Sequence, residues 1–522
     1  MTTLLIFLPI AAALVLWVVP IPGRTAASLA LLTALVEVAI WILALQRFDF
    51  DKAGLQFSDQ TDWSTDLGVS YHVGMYGFSV WLVGLTVVVG AASVAYGFWA
   101  GRERARAYFG LALFLTGSIV GVFTAQDLLL FYVFFETMLI PLYVLIGVWG
   151  GPGRLGATIQ FVIYTVAGSL LMLIAIIALG VGQGTFDLTA IRPSDNHVIF
   201  LGFVAAFAVK APLFPFHGWL PPAYREAPAE VSAVLSGVVS KVAAYGFLRI
   251  AIPVFPGPTK DLQWLLLTMG AVTLIYGSLV AFRAPDVRGV IAYSSMAQMG
   301  LITLGLFALN DPGLTGSVLQ MVTHGLISAS LFLLAGMVER RTSTGDFAFL
   351  GGMAKGRPVL ATLFMTAGII ALAVPGSSMF AGEFLVVLGV FKVGWGWAVV
   401  GAFAIVLAAM YALRLISAVL HRERGSAVSD SALDLRPGEA AIVVPLLACL
   451  IALSVWPAAI TERSFFGDSA KADVQTRYGA AAHYTVPIAI ASRASTYNVT
   501  NTQIAVGTGR AAVSRRSTRG GG

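Results

Sequence analysis

The chain has 522 residues, of which 58% are hydrophobic and only 11% are charged, and its mean hydropathy is +0.86. Soluble globular domains carry about 25% charged residues, so this composition excludes that class and indicates a polytopic membrane protein. The net charge of +6 is unevenly placed and comes with no basic patch interleaved with aromatic residues. It therefore indicates membrane orientation, with lipid and no nucleic acid as the partner.

Fourteen apolar segments approach the length of about 20 residues that a membrane-spanning helix needs. The first lacks a basic start and a small-residue cleavage site, so we predict a retained helix and not a cleaved signal. The predicted fold is all-α, with fourteen transmembrane helices. The predicted spans begin near Leu4, Ala26, Tyr76, Ala107, Leu128, Gly156, His197, Ala229, Leu262, Arg288, Leu314, Val359, Trp397 and Ala440.

Arginine and lysine are concentrated in alternate loops. The loops that are poor in arginine and lysine contain only Arg47, Lys52, Arg192, Lys260 and Lys392. By the positive-inside rule the rich set is cytoplasmic, which places both termini outside if there are fourteen spans. The rich set contains Arg24, Arg102, Arg104, Arg106, Arg154, Arg225, Arg283, Arg288, Arg340, Arg341, Lys355, Arg357, Arg422, Arg424 and Arg436.

The sequence contains no pattern that would hold a cofactor. Cys449 is the only cysteine, which excludes an intrachain disulfide and a cysteine-ligated iron–sulfur cluster. The six histidines show no HExxH spacing, and the chain has no Walker A sequence and no GxGxxG between a strand and a helix. We therefore expect no nucleotide, metal or redox cofactor in this chain.

Five ionisable residues lie near the middle of five different predicted spans: Glu136, Lys210, Lys241, His324 and Glu383. A charged side chain at the bilayer centre costs about 2.5–3.5 kcal/mol on insertion scales, so such residues usually mark a pathway. Any one of them could be a structural ion pair, but five at one depth are hard to explain that way. Their chemistry suits a proton relay, because a lysine poised between burial and a nearby carboxylate can load and unload a proton.

Two of these spans contain predicted helix breaks. Pro212 and Pro215 follow Lys210, and Pro375-Gly376 precedes Glu383. Proline lacks an amide donor, and broken helices in corresponding halves of a transporter indicate an inverted repeat with a central site. We predict broken helices 7 and 12 within two inverted five-helix repeats. The predicted divisions are 1–106 for helices 1–3, 107–255 and 256–424 for the repeats, 425–460 for helix 14, and 461–522 for a polar tail.

Four further polar residues lie beside a predicted break or near the ends of predicted spans. His217 follows the first break and is either a polar group that supports the site or an interfacial residue. Asp127 and Glu230 are predicted to act at helix starts, where negative charge is favourable. Arg249 is predicted to extend its side chain to the membrane interface.

Five segments together resemble a known family, the antiporter-like subunits of respiratory complex I, the proton-pumping NADH:quinone oxidoreductase, and the related Mrp cation/proton antiporter subunits. The similarity runs from about Leu4 to Pro457. The segments are Phe131 to Pro141 (FYVFFETMLIP), Val209 to Pro221 (VKAPLFPFHGWLP), Ala292 to Gly300 (AYSSMAQMG), His324-Gly325, and Pro375 to Phe384 (PGSSMFAGEF).

This resemblance implies roles for the midplane residues. Glu136 is expected to pair with Lys210, and Lys210 to pass protons to Lys241. His324 is expected to connect onward to Glu383. At that last position the sister chains L and N and the Mrp subunits usually carry lysine, so the resemblance is to the subunit M branch.

The resemblance also implies a setting. The expected partners are chains L and N in a bacterial plasma membrane, and NADH, FMN, iron–sulfur clusters and quinone are expected in partner subunits. The alternatives are a cation/proton antiporter subunit, a subunit of a membrane-bound hydrogenase, and a non-pumping structural spacer.

One position departs from the family pattern. The family commonly has histidine where this chain has Gln298. Glutamine can hold a water by hydrogen bonds but cannot accept and release a proton near neutral pH. This link would therefore run through water, or His324 alone would carry it.

Overall fold

The computed structural model describes residues 1–52, 54–64, 68–429 and 433–465, so the predicted tail 461–522 lies almost entirely outside the described residues. In this part of the chain most residues are helical. The helices are α1 Thr2–Val18, α2 Gly23–Arg47, α3 Gly77–Ala100, α4 Ala105–Thr124, α5 Leu128–Trp149, α6 Arg154–Gln183, α7a His197–Lys210, α7b Leu220–Glu226, α8 Ala229–Val254, α9 Gln263–Arg283, α10 Val287–Phe307, α11 Asp311–Thr342, α12a Pro358–Ala371, α12b Ser378–Val393, α13 Trp395–His421 and α14 Pro437–Val455.

Eleven of the described helices are long and apolar enough to cross a membrane, namely all except α1 and the four half-helices of α7 and α12. Three shorter apolar helices, α1, α7a and α12a, coincide with the first, seventh and twelfth predicted spans. The polytopic helical fold is therefore confirmed. The count of fourteen crossings stays a prediction.

The arginine-rich loops meet through ion pairs, and we call the end of the molecule where they lie the basic end and the opposite one the outer end. Glu230 lies in the first turn of α8, as predicted, but its carboxylate also accepts a hydrogen bond from Tyr108 at 2.5 Å. Four ion pairs at the basic end connect helices that are distant in sequence. They are Arg102–Glu230 at 2.6 Å and Arg225–Asp286, Arg288–Glu339 and Arg341–Glu439 at 2.7 Å each.

A β-hairpin at the outer end is absent from the all-α prediction. Strand β1, Gln56–Ser64, pairs antiparallel with β2, Val69–Met75. A further bridge joins Val73 to Ala125, at the end of α4. The hairpin was missed because hydropathy, which dominates the chain, carries no strand signal in so short a polar segment.

Two backbone bridges occur at corresponding places five helices apart. Asp127 precedes α5 and bridges to Asp187, and Asp286 precedes α10 and bridges to Asp346; each pair is 60 residues apart. Asp127 caps α5 as predicted, accepting hydrogen bonds from the amides of Leu129 and Leu130. Asp127 accepts a hydrogen bond from the Ser70 amide of the hairpin at the outer end, and Asp286 pairs with Arg225 at the basic end, so the two bridges lie at opposite ends. This is the arrangement expected of inverted repeats, although the boundaries at 107–255 and 256–424 stay a prediction.

Both predicted helix breaks are present. Helix α7a ends at Lys210, and Pro212 lies in the turn that follows. The Trp219 indole donates a hydrogen bond to the carbonyl oxygen of Val209 at 2.8 Å, which satisfies an acceptor released by the break. The second break separates α12a from α12b and contains Pro375-Gly376, where Gly376 has φ +96°, a value that favours glycine.

Candidate functional site

The centre of α8 places Lys241 against His324 of α11. The lysine Nζ lies 2.8 Å from His324 Nδ1 and donates a hydrogen bond of 2.5 Å to the Ser236 carbonyl. The lysine is fully buried and the histidine is 4% exposed. Two positive charges repel at this distance, so one nitrogen must accept while the other donates. The contact can therefore pass a proton from one side chain to the other.

A cluster of hydroxyl groups surrounds this contact. The Ser236 hydroxyl bonds to Ser295 of α10 at 2.8 Å and to Ser328 of α11. Lys241 Nζ also lies 3.3 Å from the Ser240 hydroxyl. The sequence analysis missed these residues, although serines four residues apart in α8 share one helix face. Each hydroxyl both donates and accepts, so the cluster can reorient as the charge on Lys241 changes.

π-Helical turns lie on both sides of Lys241. They span Leu235–Val239 and Phe247–Ala251 within α8. Such turns interrupt the regular hydrogen-bond ladder and occur frequently at functional sites. Here they turn the serine face and the lysine toward α10 and α11.

Lys210 occupies the first break. It is 2% exposed and ends α7a, where the helix dipole favours a cation. Its Nζ lies 4.9 Å from the centroid of the Phe135 ring and 5.8 Å from that of Phe161. Glu136 is half-buried and acts electrostatically on Lys210, but the two side chains make no ion pair within 4.0 Å. The structure thus places the expected partners as neighbours without direct contact.

His217 lies in the same break, between α7a and α7b. Its ring stacks on Phe214, with centroids 5.6 Å apart, and meets Tyr276 edge-on at 4.9 Å. The side chain is half-buried, and its buried Nδ1 has no hydrogen-bond partner within the described ranges. The structure places His217 within an aromatic contact at the break, and none of these contacts is with Lys210.

Glu383 belongs to a chain of amide hydrogen bonds across three helices. The Gln298 amide donates to Glu383 Oε1 at 2.9 Å, and the Gln320 amide donates to Gln298 Oε1 at 2.7 Å. All three side chains are buried, and Glu383 Oε2 and Gln320 Oε1 have no hydrogen-bond partner among the residues that the structure describes. Gln320 was missed by the sequence analysis. Its signal was an amide in an apolar run, one turn before His324.

The predicted residues therefore form three groups: Glu136 with Lys210, Lys241 with His324, and Gln298 with Glu383. Gln320 lies one helical turn from His324 and contacts Gln298, so it bridges the second and third groups. Pro212 and Pro375 lie in the breaks beside the first and third groups. The arrangement offers acids, bases and hydroxyls for proton transfer.

Comparison with known proteins gives the family. The family model described as "NADH:quinone oxidoreductase/Mrp antiporter, TM" matches residues 125–408, more than half of the chain. The chain belongs to this family. Subunit M of NADH-quinone oxidoreductase from Rhodobacter capsulatus is 37% identical over 483 residues, covering 88% of this chain and 94% of the relative. Chain 4 of NADH-ubiquinone oxidoreductase from Marchantia polymorpha is 35% identical over 471 residues, with the same coverage.

Solved structures agree with this family. A chain of respiratory complex I from Thermus thermophilus has a TM-score of 0.82 and 30% identity, covering 92% of this chain and 99% of that one. A chain of the Mrp complex from a Dietzia species has a TM-score of 0.81 at 21% identity, covering 92% of this chain and 98% of that one, which shows a shared fold alone. The resemblance to the antiporter-like family, and within it to the subunit M branch, is confirmed.

Proposed function

We propose that this chain is the M-type membrane-arm subunit of a proton-pumping NADH:quinone oxidoreductase and that it moves protons along Glu136, Lys210, Lys241, His324 and Glu383. The observation that carries the proposal is the buried 2.8 Å contact between Lys241 and His324, because ionisable side chains at the bilayer midplane are costly and usually mark a proton pathway. The family membership supports the same conclusion.

The mechanism begins at Glu136 and Lys210. A change that reaches Glu136 from a neighbouring subunit alters its distance from Lys210, and charge interactions at low dielectric depend steeply on distance. A nearer carboxylate retains the proton on Lys210, and a more distant one releases it toward Lys241. The aromatic rings of Phe135 and Phe161 stabilise the cation without fixing it by hydrogen bonds.

The second half of the route runs from His324 to Glu383. Gln320 and Gln298 cannot carry a proton themselves, so they hold Glu383 in position while water makes the transfer. The unpartnered oxygens Glu383 Oε2 and Gln320 Oε1 are the acceptors for such a water. The proton leaves Glu383 toward the outer side.

The energy comes from redox chemistry elsewhere in the complex. NADH, FMN, iron–sulfur clusters and quinone are bound by partner subunits, and the direct neighbours are the antiporter-like chains L and N. The complex lies in the bacterial plasma membrane.

The test compares proton pumping with NADH:quinone activity in membranes that carry Lys210→Ala. We expect pumping to fall by about tenfold or more, the size of effect typical of removing a proton-transfer group, while the complex still assembles. Lys260→Ala is the matched control, because Lys260 is exposed at the outer end and bonds to Gln263 there. Normal pumping in an assembled Lys210→Ala complex would contradict the proposal and favour the structural spacer.

A further inference from the structure

Arg249 is a buried cation that the relay does not use. It lies in the outer half of α8 and is 6% exposed, and in the described part of the chain its Nε has no hydrogen-bond partner. The prediction that it extends to the membrane interface is wrong. Its guanidinium instead donates to Gln126 Oε1 at 2.8 Å and to the Tyr76 hydroxyl at 3.4 Å, and lies 4.9 Å from the Tyr76 ring centroid.

The partners of Arg249 orient its charge without cancelling it. Within the described ranges, no carboxylate lies within 4.0 Å of the guanidinium. The Gln126 amide is itself held by the carbonyls of Gly74 and Thr124, at 3.3 and 3.2 Å. The neighbouring Asp127 is occupied in capping α5. A fixed positive charge therefore lies just inside the outer end of α8.

Three polar residues of α8, which we call the α8 line, lead in sequence from Lys241 to this charge. Lys241, Tyr245 and Arg249 are spaced four residues apart on one face of α8, which places Arg249 about 12 Å from Lys241 along the helix. Between them, the fully buried Tyr245 hydroxyl lies beside the buried hydroxyl of Ser79 on α3, so the two can hydrogen-bond to each other. Buried hydroxyls both donate and accept hydrogen bonds, so they can order water at this depth and conduct protons outward.

A pump must not exchange its central proton with the outer side through such a line. We propose that Arg249 is an electrostatic barrier that closes the outer end of the line Lys241, Tyr245, Arg249, so that the proton on Lys241 passes to His324. The inference rests on the proposed function. The guanidinium charge repels a proton on the α8 line. At a separation of about 12 Å and an effective dielectric of about 20, this repulsion lowers the probability of finding the proton there roughly tenfold, and the effect grows as the proton comes closer. Pore arginines exclude protons and cations by the same physics.

The experiment uses the intact complex in proteoliposomes that contain a pH-sensitive dye. For Arg249→Gln we expect passive proton conductance to rise roughly tenfold under an imposed pH gradient, since the barrier charge is lost. The pH gradient sustained during NADH oxidation should fall accordingly, and Arg249→Lys should restore the tight state. Arg414→Gln is the matched control, because that arginine also lies over an aromatic ring, 5.1 Å from Phe347, but near the basic end.

Two further variants separate a barrier from a structural role. Lys241→Ala combined with Arg249→Gln should be tight, because the line then has no proton source at its inner end. Gln126→Ala keeps the charge but releases its anchor, and should leak less than Arg249→Gln; it also provides the test if Arg249→Gln does not assemble. Wild-type conductance in Arg249→Gln, or in Gln126→Ala where the former does not assemble, would overturn the inference. The Lys210→Ala experiment tests the relay independently of the barrier. A failure of the barrier inference can therefore be distinguished from a failure of the proposed function.

Discussion

The two broken helices present their ionisable residues in different surroundings. Lys210 ends α7a and contacts aromatic rings, without an ion pair to its expected partner Glu136. Glu383 lies inside α12b and accepts a hydrogen bond from Gln298, which is itself held by Gln320. One side chain is stabilised only through its charge, and the other is held by neutral amides.

Loss or gain of a proton affects the contacts of Lys210 and Glu383 differently. A cation–π contact weakens when the lysine becomes neutral, so Lys210 can move or be displaced on deprotonation. An amide hydrogen bond to Glu383 persists in both protonation states, so its geometry changes little. The first break is therefore suited to sensing a change, and the second to receiving a proton at a fixed place.

The largest effect is expected from Glu383→Gln, which keeps the size of the side chain and its amide contacts but removes the exchangeable proton. Proton pumping should fall by about tenfold or more, with an unchanged melting temperature of the purified complex. Glu423→Gln, at an exposed position, is the control. Pumping at the wild-type rate would show that Glu383 has a structural role and does not carry the proton.

Gln298→Leu tests whether the amide chain holds the second site. The substitution leaves Glu383 Oε1 buried without its partner, which costs about 1–3 kcal/mol, and leaves the Gln320 amide its weaker contact with Met379 Sδ at 3.7 Å. The melting temperature of the purified complex should therefore fall. Gln298→His, which can still donate to Glu383, should retain most of that stability. Equal melting temperatures for Gln298→Leu and the wild type would mean that water replaces the amide.

Phe135→Leu tests the charge-dependent hold on Lys210. Loss of one ring removes about 0.5–2 kcal/mol of cation stabilisation, so we expect a change of a few-fold in the pumping rate. The exposed Phe391 provides the control Phe391→Leu. If the rate does not change, Phe161 or another group is sufficient to stabilise the cation.

The smallest effect concerns the two loop bridges, which differ in one side chain. Asp187 lies in the loop after α6 and bonds to His72 at 2.8 Å, whereas the Asp346 carboxylate accepts a hydrogen bond from the Ala348 amide and, among the described residues, has no histidine partner. Burial acts to raise the pKa of Asp187, but its hydrogen bonds with His72 and Thr189 outweigh burial and lower that pKa below the ordinary value.

A carboxyl with a lowered pKa in the folded state stabilises the protein above its unfolded pKa of about 4, and the stabilisation is lost as the pH falls through the lowered value. Melting temperatures of the purified complex measured from pH 6 downward should decline more steeply below about pH 4 in the wild type than in His72→Ala. The contribution should be about 1 kcal/mol, because the variant removes one of several hydrogen bonds at the Asp187 carboxylate. Parallel curves would show that the bridge is insensitive to this contact.

Much of the candidate site could be predicted from local sequence. A charge inside an apolar run and a proline beside it are visible without any contact information, and so Lys210, Lys241 and Glu383 and both breaks were found. Gln320 carried the same kind of signal, since it is an uncharged polar group in a span. Amides cost less to bury than charges, so an amide in a span indicates a functional site less strongly. The hairpin at Gln56–Ser64 and Val69–Met75 gave no comparable signal.

Arg249 shows where local reasoning failed. Its place near a span end predicted extension to the interface, but the packing of α3 and the loop before α5 covers it and supplies Tyr76 and Gln126 as partners. Nothing in the residues around position 249 indicates that covering. The error follows from the rotation of α8, which the sequence of α8 does not determine.

The sequence by itself determined the membrane class, the approximate spans, the breaks and the depth of the ionisable residues. The reason is that the bilayer requires every crossing segment to be apolar and helical, so composition and proline act locally. Only the tertiary structure decided that Lys241 meets His324, 83 residues away, and that amides join Gln320, Gln298 and Glu383. Such contacts depend on how helices rotate and pack against each other, which is a property of all the helices together.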